Sequence, residues 1–219
     1  MQTAGKTPSV SKDTRPTLED GSGTMAAMKI ALIGTHGVGK TTLCFDLAAR
    51  LKRRGVDVEI VREVARSCPL PINQQTTVEA QEWILHSQMA SEIEAAARHE
   101  VVLCDRSVLD NYCYMVQAAG SSGHWEKMLD HWLPTYGLLV YVPLWVRPGF
   151  DGVRAVEPGF QEQIDLLLEG MITARGLEPL RLDPAEQPAW GRTLIDRILP
   201  MLDPTLPLFD AAELDLEER

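Results

Sequence analysis

The octapeptide GTHGVGKT, residues 34–41, constrains this chain more than any other feature in it. It satisfies Gly-x4-Gly-Lys-Ser/Thr, follows the apolar run MKIALI (28–33) and precedes CFDLAARLKRRG (44–55), where apolar residues recur at helical spacing. A strand, a glycine-rich turn and a helix in that order gather backbone N–H groups and a helix N-terminus around one point, which favours an anion. Gly37 and Gly39 let the turn close, Lys40 has the reach for the outer phosphates of a nucleoside triphosphate, and Thr41 offers a hydroxyl to Mg²⁺. Gly34, Thr35, His36, Gly37, Val38, Gly39, Lys40, Thr41 and Thr42 are therefore the candidate nucleotide-binding residues. His36 reads as a spacer or a contact to a neighbouring element, since the loop holds phosphate without an imidazole.

Beyond the loop, short apolar runs alternate with long helical patterns. Strands are expected at 56–61, 101–104, 138–142 and 180–182, and helices at 77–97, 107–118, 124–133, 160–174 and 188–199. That alternation predicts an α/β fold, a mostly parallel five-stranded sheet with helices on both faces. Residues 1–27 are polar and rich in Gly, Pro, Ser and Thr, and read as a disordered leader. Residues 28–202 form the expected domain and 203–219 an acidic tail.

Composition narrows the function classes. The formal charge of -10 opposes binding to nucleic-acid polymers. No apolar run reaches membrane-spanning length and the leader lacks the apolar centre of a secretory signal, so a cytoplasmic protein is expected. Cys44, Cys68, Cys104 and Cys113 form no CxxC pair and read as reduced thiols. A homodimer through the 108–133 helices or a shared lid is left open.

Three further segments carry a resemblance: REVAR (62–66), TVEAQEWILHSQ (77–88) and VVLCDRSVLD (101–110). With the phosphate loop they resemble the P-loop nucleoside and nucleotide kinases. They are more closely similar to bacterial domains grouped with AAA-type ATPases and akin to the kinase domain of the bifunctional nicotinamide-nucleotide enzyme. The resemblance implies a three-layer P-loop NTPase fold with a lid at about 144–157. It implies Mg-dependent transfer of a phosphoryl group from ATP or GTP to a small-molecule acceptor: a nucleoside, a nucleotide or a nicotinamide riboside-like compound. A regulatory ATPase or GTPase acting through a protein partner is the alternative.

By that resemblance Glu63, at the end of the second strand, orients or deprotonates the acceptor hydroxyl. Asp105 resembles a Walker B acid that binds Mg²⁺ and is the rival base. Arg106 balances the charge of the transferring group. Arg66, three residues after Glu63, would share a face with it if a helix begins there, and then suits an acceptor phosphate. Gln81 and Trp83 lie on the helix that passes the acceptor pocket in similar kinases; the amide suits a base edge and the indole suits stacking or the core. Tyr112 is a further pocket candidate. Arg147 and Arg154 are the candidate lid cations over the triphosphate.

Overall fold

The computed structural model describes residues 27–72, 76–144 and 158–202. Strands β1 (Met28–Ile33), β2 (Val58–Val61), β3 (Val101–Asp105), β4 (Leu138–Tyr141) and β5 (Leu180–Arg181) form one sheet in the order β2-β3-β1-β4-β5. Every neighbouring pair is parallel. Six α-helices stand among the described residues: α1 (Lys40–Arg53), α2 (Val78–Ala96), α3 (Val108–Ala119), α4 (Gly123–Trp132), α5 (Pro158–Ala174) and α6 (Trp190–Leu202).

A parallel sheet needs a crossover between strands, and crossover helices cover both faces, so its strands read as unbroken apolar runs rather than alternating ones. β3 shows this directly. Val101 and Leu103 pack among Leu43, Leu47 and Leu51 of α1 and Leu194, Ile195 and Ile198 of α6. Val102 and Cys104 face the opposite layer, with Leu85 of α2, Leu109 and Tyr112 of α3, Leu129 of α4 and Ile164 and Leu168 of α5. The four cysteines are free.

The five-stranded sheet meets the mostly parallel expectation, with every pairing parallel. α1 begins at Lys40 rather than near residue 44, because Gly39, with φ 98°, serves as its N-cap and gives Lys40 and Thr41 to the first turn. Arg147 and Arg154, assigned to a lid, lie outside the described residues.

One charged knot sits inside the α2–α4 layer. Glu92 of α2 has no exposure. Its carboxylate accepts from Lys29 Nζ (2.9 Å), Trp132 Nε1 (2.9 Å), Tyr136 Oη (2.7 Å) and Gln88 Nε2 (2.9 Å). Lys29 also lies over the Trp132 and Tyr136 rings, at 4.5 and 4.8 Å from their centroids. With four donors, one of them a cation, the buried charge is satisfied, which is the condition for keeping it there.

Candidate active site

The parallel order puts all strand C-termini on one rim, where ligands of open α/β sheets bind. β1 and β3 are neighbours with Leu32 opposite Asp105, so the phosphate loop leaving β1 emerges beside the acid that ends β3. Thr41 Oγ1 donates to Asp105 Oδ2 at 2.5 Å. The loop leaves β1 at Gly34 with φ 146°, and a Cβ there would collide with the Val142 carbonyl oxygen, so no other residue fits.

Lys40 is buried and its Nζ donates to the carbonyls of Gly34 (2.7 Å) and Thr35 (2.5 Å). Burial, and then the neighbouring Arg106 cation, push its pKa down to about 8, against the pull of Asp110, Asp105 and Glu63. A phosphate anion favours the charged lysine, so above pH 8 binding must draw a proton onto Lys40. Triphosphate affinity is therefore expected to fall by up to about tenfold per pH unit above that point, and Lys40→Arg to abolish the slope. Titration of a fluorescent ATP analogue between pH 7 and 9.5 measures this; a flat profile in the wild type refutes it.

A divalent cation fits beside the loop. The Thr41 hydroxyl and the Asp105 carboxylate are oxygen ligands in contact with each other, and Mg²⁺ is held by few protein oxygens when phosphates and water complete its shell. Among the described residues no group of three or more His, Cys, Asp or Glu side chains converges on a metal position.

Next to the loop opens a cavity lined by His36, Glu63, Ala65, Arg66, Ile72, Gln81, Ile84, Arg106, Asn111 and Tyr114. Glu63 is its hub. Oε1 accepts from Arg106 Nε at 2.7 Å and Oε2 from Arg66 Nε at 3.0 Å. Arg66 reaches Glu63 from a 3₁₀ turn (Val64–Ser67) rather than from the first turn of a longer helix. Arg106 is buried and sits at φ 104°, the one non-glycine residue with positive φ among those described. A bulky side chain held there costs about 1–3 kcal/mol. Its Nη2 donates to Tyr114 Oη at 3.3 Å, and its Nη1 has no hydrogen-bond partner. Gln81 donates through Nε2 to Thr76 Oγ1 (2.7 Å) and leaves Oε1 unpaired; Asn111 leaves Nδ2 unpaired.

The cavity thus brings together Glu63, Arg66, Gln81 and Arg106 of the acceptor-side candidates, beside His36 of the phosphate loop. The other two acceptor-side candidates fall elsewhere. Tyr112 has no exposure and is in the core, where its hydroxyl accepts from the Ser122 amide at 3.2 Å. Trp83 is half-buried on α2 and does not line the cavity. Asn111 and Tyr114, three residues apart on α3, share the face that meets the cavity, and Tyr112 points away from it. Tyr114 and not Tyr112 meets the cavity, and nothing local in the sequence marks that phase of α3.

Other contacts escaped it too. Tyr114 Oη lies 3.0 Å from His36 Nδ1, and Gln161 of α5 donates to the His36 carbonyl at 2.6 Å. His36 thus does touch neighbouring elements. Asp110 accepts from the Gly34 amide at 2.8 Å, across 76 positions of sequence. The Ser-x-x-Asp spacing at 107–110 announces the capping box that starts α3, but not that long-range bond.

A five-stranded parallel sheet, a Gly-rich phosphate loop backed by a strand-end acid, and an adjoining acid–arginine cavity place the chain in the P-loop nucleotide-kinase-like class. It belongs to the AAA domain family (AAA_28), which matches residues 29–187. It is 28% identical over 203 residues to the thymidylate kinase of Pseudomonas entomophila (strain L48), covering 80% of this chain and 96% of that one. With the thymidylate kinase of Pseudomonas syringae pv. syringae (strain B728a) it shares 25% over 204 residues, 81% of this chain and 97% of the relative. Among solved structures, the deoxyadenosine kinase from M. mycoides with bound dATP has the same fold. That match has a TM-score of 0.55 at 17% identity and covers 78% of this chain and 98% of the other. No described helix is long and apolar enough to cross a membrane.

Proposed function

We propose that the protein is a Mg-dependent kinase that moves the terminal phosphoryl group of ATP or GTP to a hydroxyl of a nucleoside-like acceptor, a class that includes nicotinamide riboside. The observation that carries this reading is the Glu63–Arg106 pair, 2.7 Å apart, in a cavity that adjoins the phosphate loop. The thymidylate kinase relatives and the deoxyadenosine kinase fold support phosphoryl transfer to a nucleoside or nucleotide.

The phosphate loop and Lys40 hold the donor with its terminal phosphorus toward the cavity. Thr41 and Asp105 would hold Mg²⁺, which when bound would supply neutralisation of the donor's phosphate charge. Glu63 accepts the proton of the acceptor hydroxyl as its oxygen bonds to that phosphorus, the bond to the bridging oxygen breaks and a nucleoside diphosphate leaves. Arg106 faces the charge that builds on the moving group through its unpaired Nη1. Between the two rival bases, geometry favours Glu63, because it lines the cavity and Asp105 does not. Both Glu63 oxygens already serve arginines, so an acceptor phosphate would meet a carboxylate where it needs free cations. That favours an uncharged hydroxyl acceptor over a monophosphate. Gln81 Oε1 and Asn111 Nδ2 offer one acceptor and one donor, the complement of an amide-like edge on a base or a nicotinamide ring.

The test is incubation with MgATP or MgGTP and a panel of nucleosides, their monophosphates and nicotinamide riboside, followed by mass spectrometry of the acceptor. A nucleoside-class acceptor gaining one phosphoryl group supports the reading, and Glu63→Gln is expected to lower that rate by about 10²–10⁴-fold. Phosphorylation of monophosphates alone, or an unchanged rate in Glu63→Gln, overturns it.

A further inference from the structure

The peptide unit that joins Arg106 to Ser107 is gripped at both of its polar ends. Its carbonyl oxygen accepts from Gln88 Nε2 at 3.2 Å, and its N–H donates to Asp110 Oδ2 at 2.8 Å. The Ser107 hydroxyl donates to the same oxygen at 2.7 Å. A peptide plane bonded on both sides cannot rotate without breaking both bonds, and this is the plane next to the strained φ of Arg106. Strain at a site persists only where the surroundings over-determine it.

The second oxygen of Asp110 does something different. Oδ1 accepts from the Gly34 amide, the first residue of the phosphate loop, at 2.8 Å. One carboxylate, 1% exposed, therefore joins the exit of β1 to the turn after β3. It sets the spacing between the loop that holds the donor and the arginine that faces the acceptor.

We infer that Asp110 is a positioning residue for phosphoryl transfer that acts through Arg106, with Gln88 as its counterpart on the other side of the Arg106–Ser107 peptide. The inference rests on the transfer reading for its catalytic consequence, but its structural half can be measured without any acceptor.

In the folded protein the Arg106 Nε–H, which donates to Glu63, is expected to give a slowly exchanging arginine signal in ¹⁵N spectra, to be assigned by its loss in Arg106→Ala. Asp110→Asn keeps the shape of the side chain but replaces an accepting oxygen with a donor. It is expected to speed that exchange by about tenfold or more. It is also expected to lower kcat/KM by about 10–100-fold in the wild-type background and by at least about threefold less in Arg106→Ala, where only the Gly34 amide bond remains for it to lose. Unchanged Arg106 exchange, or an equal loss in both backgrounds, overturns the inference. If Asp110→Asn fails to unfold cooperatively, Gln88→Met goes through the same two measurements with the same expected and overturning results. A wild type that phosphorylates no acceptor sinks the transfer reading alone, and the exchange rate still decides whether Asp110 holds Arg106.

Discussion

Lys40→Ala is expected to lower phosphoryl transfer by about 10²–10³-fold while shifting the urea stability by less than about 1 kcal/mol. The two halves have one cause. Lys40 is buried as a cation among loop carbonyls, and the fall of its pKa to about 8 shows that the fold resists its charge. Its removal costs two hydrogen bonds, to Gly34 and Thr35, and relieves a desolvation penalty of opposite sign. The triphosphate has no such compensation: the charge that meets its outer oxygens is gone. Single-turnover rates and urea titrations of the two proteins check this. Equal turnover would remove the proposed chemistry, and a collapsed fold would recast Lys40 as structural.

The largest loss of stability is expected from Lys29→Met, about 3–5 kcal/mol. Glu92 then keeps Trp132, Tyr136 and Gln88 but loses the one counter-charge it has among the described residues, at a position without solvent. Adding Glu92→Gln to Lys29→Met removes the stranded charge and should restore much of the loss. A single-variant loss below about 1 kcal/mol in urea unfolding would show that the neutral donors alone carry the carboxylate. The knot also bears on the site, since the Gln88 amide that bonds Glu92 also holds the Arg106 carbonyl. Activity in Lys29→Met should therefore fall even under conditions where the protein stays folded.

What the sequence made legible was local. Residues 34–41 carry their glycines, lysine and threonine in one contiguous turn, so the chemistry of the loop needs no fold to be read. The strands showed as apolar runs because both faces of the sheet are covered. Glu63 and Arg106 are 43 positions apart, and only family resemblance joined them before the structure did. Gly34–Asp110, His36–Gln161 and Lys29–Glu92 join residues 76, 125 and 63 positions apart. Each looks ordinary in its own segment: Lys29 lies within an apolar strand and Glu92 within a long helix. Tyr112 and Tyr114 differ by two positions, and which of them meets the cavity depends on a rotation of α3 fixed by packing against distant residues.

Because all five strands run the same way, the chain returns to the far side of the molecule each time a helix hands over to the next strand. The exposed turns at Arg54–Gly55, Arg98 and Gly176 belong to that far side. They are natural anchor points: a fluorophore, a surface tether or a fused partner attached there leaves the working edge open to traffic.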